Sequence, residues 1–206
     1  MDEQVLAAMQ KWPNVPAAYG WLSLSARGLW RFHHDGDFAA NPEGESIENS
    51  QLNNFFNRNY CVDDKGAWYI QNGPQKAFVN LLYAPFILFY DDAQQCLNTH
   101  HGQLINCIKQ WYFSDDGRLF AITDIGPAML IGRDLPLFLD KALVIAENDT
   151  IVGSRTLTED DLLELTNGKQ LTLTLGQLSA PCSFFESNKA EEILGFVSQP
   201  KPQNKP

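Results

Sequence analysis

Three small groups of residues in this chain have the types and spacing to do chemistry. In the first, Asn57-Arg58-Asn59-Tyr60 is followed one hairpin later by Gln71-Asn72-Gly73-Pro74-Gln75. Arg58 offers a planar cationic fork for an anion, while the amides of Asn59, Gln71, Asn72 and Gln75 and the Tyr60 hydroxyl both donate and accept hydrogen bonds. Arg58, Asn59, Tyr60, Gln71, Asn72 and Gln75 are therefore the candidate lining of a pocket for a small polar or anionic ligand. The competing role of these groups is structural, since a helix end and a tight turn both leave backbone groups to satisfy.

The second group is Cys96, His100, His101 and Cys107. Thiolate and imidazole are zinc donors, and four of them can close a tetrahedron. Their spacing matches no familiar zinc pattern, and Thr99 to Gly102 reads as a turn carrying two solvated histidines beside two buried thiols. The expectation is that purified protein holds no stoichiometric metal, with a zinc site on these four residues as the alternative. The third group, His33-His34-Asp35 with Asp37, mixes imidazole and carboxylate in the manner of a transition-metal site. It lies in a polar loop, where ordering the ligands costs entropy.

Nucleophilic catalysis needs a thiol or hydroxyl beside an oriented base. Neither Cys61 nor Cys182 stands in a sequence that signals this, and no G-x-S-x-G elbow, phosphate loop or dinucleotide fingerprint occurs. The acid pairs Asp63-Asp64, Asp91-Asp92, Asp115-Asp116 and Asp160-Asp161 fall in turns and caps, where aspartate bonds its own backbone. No catalytic residue is assigned, and no cofactor is expected.

The elements that must position these groups read as follows. Asp2 to Trp12 has helical spacing and is stopped by Pro13 and Pro16. Tyr19 to Leu24 is a strand that turns at Ala26-Arg27-Gly28 and returns through Leu29 to Phe32. Ser50 caps a helix with Leu52, Phe55 and Phe56 on one face. Strands follow over Ala67 to Gln71, Ala77 to Tyr83 and Phe86 to Tyr90. Further strands run from Leu104 to Phe113, Leu119 to Thr123 and Ala128 to Ile131, with the β pattern continuing over Leu135 to Leu139. Thr158-Glu159-Asp160-Asp161 caps a short helix. Gln170 to Leu175 alternates Thr and Leu as a half-buried strand does, and Ala190 to Leu194 is helical. The turn glycines Gly66 and Gly117 each precede a strand with an aromatic residue and are expected at positive φ, whereas Gly36 is expected to tolerate alanine.

The 206 residues, 44 % of them apolar and 12 % aromatic, exceed what a disordered chain carries and suffice for one large or two small domains. A net charge of −10, with no run of Lys or Arg, opposes binding to phosphate backbones and to anionic membranes. Neither nucleic acid nor membrane is therefore an expected partner. The start Met1-Asp2-Glu3-Gln4 lacks the basic and apolar regions of a signal peptide, and Phe78 to Tyr90, broken by Asn80 and Pro85, is too short to span a bilayer. The absence of both segments places the expected compartment in the cytoplasm.

The runs Trp12-Pro13-Asn14-Val15-Pro16 with Tyr19-Gly20-Trp21-Leu22, Asn59-Tyr60 with Gly66-Ala67-Trp68-Tyr69, and Gln71-Asn72-Gly73-Pro74-Gln75 resemble a proteobacterial family of uncharacterised proteins, a domain of unknown function. The resemblance covers most of the first 90 residues, and more loosely Asp124-Ile125-Gly126 and Arg133-Asp134-Leu135. It implies no activity. The order of turns, helix and strands ending in Ala84-Pro85-Phe86 is also similar to another uncharacterised bacterial family, in which a small β-roll precedes an α/β-roll.

The fold expected is α+β, mostly antiparallel β, with two abutting roll-like halves and a few short helices. By this reading residues 1–12 form an N-terminal helix, 13–90 a small β-roll-like domain, 91–199 an α/β-roll-like domain and 200–206 a disordered tail. The function expected is a non-catalytic binding or regulatory module for a protein partner or small polar ligand. The alternative is an enzyme acting on a small polar or anionic substrate near Arg58 and Gln75. Fold likeness by itself carries no function.

Overall fold

The structure, a computed structural model, describes residues 3–12, 15–145 and 154–202. The expected tail therefore lies partly outside the described residues, at 203–206. The chain is α+β with two mixed sheets, and it divides into two compact units, Met1–Pro85 with Gly195–Pro206, and Phe86–Leu194. Among the described residues no helix is long and apolar enough to cross a membrane.

The first unit contains α1 (Glu3–Lys11), β1 (Ala18–Leu24), β2 (Trp30–Phe32), β3 (Glu45–Ser46), α2 (Ser50–Arg58), β4 (Tyr60–Val62), β5 (Trp68–Asn72) and β6 (Gln75–Leu81). Its strands form a six-stranded sheet in the order β3-β2-β1-β6-β5-β4. The central pair, β1 and β6, is parallel, with Ala18 opposite Ala77 and Leu22 opposite Val79. One face buries Leu22, Leu24, Trp30, Ile70, Val79 and Leu81, as the period of two demands for residues matched in register. The other face packs Tyr69 and Phe78 with Tyr19 and Val197. There Tyr19 and Phe78 stack at 4.7 Å, and the returning C-terminal segment bonds through Val197 N to Gly66 O and Leu81 N to Ser198 O.

Helix α2 starts one residue earlier in its cap than the sequence suggests. Asn49, not Ser50, is the N-cap, and its Oδ1 accepts from Leu52 N at 3.0 Å. Both side chains can make this bond; Ser50 is already inside the first turn.

The second unit contains β7 (Phe86–Asp91), β8 (Cys96–Thr99), β9 (Ile108–Ser114), β10 (Leu119–Thr123), β11 (Pro127–Leu130), α3 (Leu135–Lys141), β12 (Leu143–Ile145), β13 (Ser154–Thr156), α4 (Glu159–Thr166), β14 (Leu171–Leu175), β15 (Leu178–Phe185) and α5 (Ala190–Leu194). Nine strands form one sheet, β13-β12-β14-β15-β9-β10-β11-β7-β8. Two of its pairs are parallel, β7 with β11 and β9 with β15. The Thr–Leu alternation of β14 is realised with Leu171, Leu173 and Leu175 buried.

Two local expectations are corrected here. Leu135 to Leu139 is helical, not extended: Pro136 sits in the first turn, where its fixed φ and missing N–H suit a helix. The helix sets Phe138, fully buried, against Trp111 at 5.3 Å and Tyr90 at 6.3 Å. The strand expected from Leu104 begins at Ile108, and Leu104 keeps only an isolated bridge to Asn98.

Gly66 and Gly117 both take positive φ, at 81° and 75°. They are not equivalent, because a Cβ on Gly66 would lie 2.7 Å from Gly195 O, while one on Gly117 meets nothing within 4 Å. Gly117→Val is therefore expected to cost only backbone strain, roughly 1–2 kcal/mol. Gly66→Val should cost about 1 kcal/mol more, because a backbone carbonyl has to move as well. Chemical denaturation of the two variants side by side tests this; equal losses would mean that Gly66 is not held against the C-terminal segment.

Candidate functional site

A pocket of about 560 Å³ opens on the α2 face of the six-stranded sheet. Its floor is low for a definable reason. Ala18 and Ala77 stand side by side in the parallel register, and Ile70 is the next partner of Ala77. Two methyl groups occupy positions where neighbouring rows carry Leu, Val and Trp. The wall is completed by Leu22, Phe32 and Ile47, by Leu52 and Phe56 of α2, and by Trp21. Asn72 and Gln75, paired with each other across the β5–β6 turn, form one end.

Specific bonds hold these walls in place. Trp30 Nε1 donates to Asn57 Oδ1 at 2.9 Å, and its ring meets Phe56 edge-on at 5.7 Å, so α2 is fixed to β2. Asn53 Nδ2 donates to Ile47 O at 2.9 Å, which ties α2 to the segment after β3. In β1 the register shifts between Ala18 and Leu22, and this irregularity lets consecutive residues Trp21 and Leu22 both reach the pocket. Gly36 supports the Trp21 ring so closely that an added Cβ would lie 2.7 Å from it, and a Cβ on Gly20 would lie 2.0 Å from Gly36 O. Gly36 is thus not the tolerant loop position its sequence context suggests. Trp21 and Leu52 remain 40 % exposed each, a large apolar surface left in water at the rim.

Of the six residues proposed from sequence, two line this pocket. Gln75 does, with Nε2 donating to Pro16 O at 3.2 Å, and Asn72 does, on an exposed turn-side position. The other four lie elsewhere. Arg58 is exposed on the last turn of α2. Asn59 is fully buried and closes the helix, its Nδ2 donating to Phe55 O at 3.0 Å. Tyr60 donates to Pro85 O at 3.2 Å and packs on Trp30 and Trp68; burial pushes its phenol well above the usual range. Gln71 is buried and spends its amide N–H groups on the carbonyls of Gly73 and Gln75. The apolar wall was not marked by sequence. Its available signals were the alanines Ala18 and Ala77 within strands and the half-exposed Trp21.

The His33 group is better ordered than a polar loop would suggest. His33 is buried, with Nδ1 2.9 Å from Asn41 O and Nε2 2.9 Å from Ser23 Oγ. A carbonyl only accepts, so Nδ1 carries the proton and Nε2 accepts from the Ser23 hydroxyl. That is the polarity of a serine–histidine catalytic pair. Ser23, however, is fully buried, and the adjoining cavity of about 200 Å³, bordered by His33, His34, Asp35, Asp37 and Glu45, is not lined by it. The pair therefore ties β1 to the loop. His34 bonds Glu45 at 2.8 Å on the surface.

In the second unit the Cys96, His100, His101 and Cys107 set is also redrawn. The histidines are partly buried rather than freely solvated: their rings meet each other at 5.1 Å and Phe86 at 6.1 and 5.3 Å. Removal from water pulls the His100 imidazole down to about 3, with His101 beside it adding to the effect, and lowers His101 too. Ile87 N donates to His100 Nδ1 at 3.4 Å, a bond that the neutral ring alone can accept. Cys96 is half-buried and Cys107 is exposed. Among the described residues, no three or more His, Cys, Asp or Glu side chains are grouped to hold a metal ion. Burial pushes the Cys182 thiol up to about 12, which leaves it without nucleophilic thiolate at neutral pH.

No curated protein matches the chain. Among solved structures it is similar to the crystal structure of a DUF1285 family protein from Silicibacter pomeroyi DSS-3, with 13 % identity, 79 % of this chain and 99 % of that chain covered, and a TM-score of 0.48. A family model, DUF2944, described as "Protein of unknown function (DUF2946)", matches residues 1–201. Matched over nearly its whole length, the chain belongs to this family of proteins of unknown function.

Proposed function

We propose that the protein is a non-catalytic binding module that takes a small, largely apolar molecule between α2 and the six-stranded sheet. The observation that carries this reading is the pocket of about 560 Å³ above the Ala18–Ala77 floor. Its volume lies within the range of small-ligand sites, and its composition, mostly apolar with two polar groups at one end, matches them as well. General acid–base or nucleophilic chemistry requires a titratable or nucleophilic side chain at the reacting centre. Among the described residues the pocket wall offers two amides and no acid, base, thiol or hydroxyl, which favours binding over catalysis.

The test is titration with Nile red, a neutral apolar dye, followed by its emission and by tryptophan emission from the rim. The native protein is expected to bind one equivalent. Ala77→Phe puts a ring on the floor of the pocket and should weaken binding at least about tenfold, with the circular dichroism spectrum unchanged. Equal binding by native protein and Ala77→Phe would remove the pocket from the account.

A further inference from the structure

Resting on that binding-module reading, we propose that the pocket selects an uncharged amphiphile: an apolar chain ending in a group that both donates and accepts hydrogen bonds, such as a primary amide or alcohol. The head group is assigned by the chemistry at the Asn72–Gln75 end. Pro16 O can only accept, so the Gln75 nitrogen is turned toward it and Gln75 Oε1 is left as an acceptor. Asn72 adds one more carbonyl oxygen and an amide nitrogen, and its side chain makes no hydrogen bond within the described residues. The polar end thus presents acceptors together with donors.

A carboxylate head brings acceptors alone. It would face Gln75 Oε1 without a cation among the described wall residues, in a protein whose net charge is −10. An ammonium head brings donors alone and finds no carboxylate among the described wall residues to neutralise it. Either ion would give up part of its hydration at this end with no counter-charge among the described wall residues, which is costly. An amide or hydroxyl satisfies both kinds of partner and has no charge to desolvate. The protein's net charge also separates the two ionic classes: any residual affinity should favour the amine over the acid.

The test is calorimetric titration of the full chain with four probes of equal length: octanamide, 1-octanol, octanoate and octylamine. Octanamide and 1-octanol are expected to bind to one site, with octanoate and octylamine at least about tenfold weaker. Gln75→Glu should raise octylamine relative to octanamide, and Gln75→Lys should raise octanoate. The Gln75 side chain bonds only Pro16 O among the described residues, so both variants are expected to fold. If all four probes bind alike and Ala77→Phe abolishes them alike, the pocket binds apolar chains and the head-group assignment is wrong. If no probe binds the native protein, the binding-module reading falls together with this one. A concentration-dependent dimer in sedimentation, dispersed by Ala77→Phe, would put a second copy of the chain in the pocket and overturn the assignment.

Discussion

Lowering the pH from 7 to 4 is expected to remove about 3 kcal/mol of stability, most of it through His100. The folded imidazole titrates at about 3 against 6.5 for an ordinary histidine, because the ring is withdrawn from water and lies beside His101. Between those two values the unfolded chain binds a proton that the folded chain refuses. Stability is therefore full above the unfolded value and falls by about 1.4 kcal/mol per pH unit as the pH drops toward the folded one. His101, also lowered by burial, contributes with the same sign. The hydrogen bond from Ile87 N to His100 Nδ1 gives the effect a structural cause besides desolvation, because protonating Nδ1 breaks it. Urea denaturation at pH 7, 5.5 and 4 measures the slope. His100→Asn should flatten it by more than half. Parallel slopes for native protein and variant would show that the ring is hydrated in the folded state.

Asp161→Ala is expected to cost about 3–4 kcal/mol, near the range for breaking a buried ion pair. The Asp161 side chain is 2 % exposed. Its carboxylate accepts from both terminal nitrogens of Arg155, at 2.5 and 2.6 Å, and from Thr158 N and Oγ1, at 2.8 and 2.7 Å. Thr158 Oγ1 in turn accepts from Asp161 N, which completes a capping box at the start of α4. Alanine keeps the bond from Asp161 N to Thr158 Oγ1 but removes the reciprocal half of the capping box, so the Thr158 N–H loses its acceptor and the Arg155 guanidinium loses this carboxylate. Arg155 is half exposed and can recover water, which keeps the loss from going higher. Asp161→Asn should lose roughly half as much. The bonds from Arg155 and Thr158 also hold the carboxyl below the usual range, so its contribution is present above about pH 4 and is lost as the pH falls through the folded value. This acid limb should be missing from Asp161→Asn. A loss under 1 kcal/mol for Asp161→Ala would mean that the carboxylate is solvated and the pair is open.

By itself the sequence determined the features that depend on a few consecutive residues. The capping box of Thr158 and Asp161, the alternation of β14, the turn glycines Gly66 and Gly117 and the α+β character are set by local backbone preference and by the period of the apolar pattern. Asn72 and Gln75 were legible as exposed amides at a tight turn, though not as the end of an apolar cleft. Where local signals conflicted, reading them failed. Leu135 to Leu139 is apolar enough for a strand, yet Pro136 and the burial of Phe138 on Trp111 and Tyr90 make it a helix. Gly36 stands in a polar loop, yet it is closed against Trp21, a residue outside that loop. His100 and His101 occupy a turn, yet Phe86 packs on them, and the burial of the two adjoining rings makes them acid-sensitive. The pocket was decided entirely at the tertiary level. It exists because parallel pairing of β1 with β6 sets two small residues, Ala18 and Ala77, beside each other while α2 covers only part of the same face. A cavity is a property of which distant side chains become neighbours and how much volume they leave unfilled, and neither quantity is carried by any local stretch of the chain.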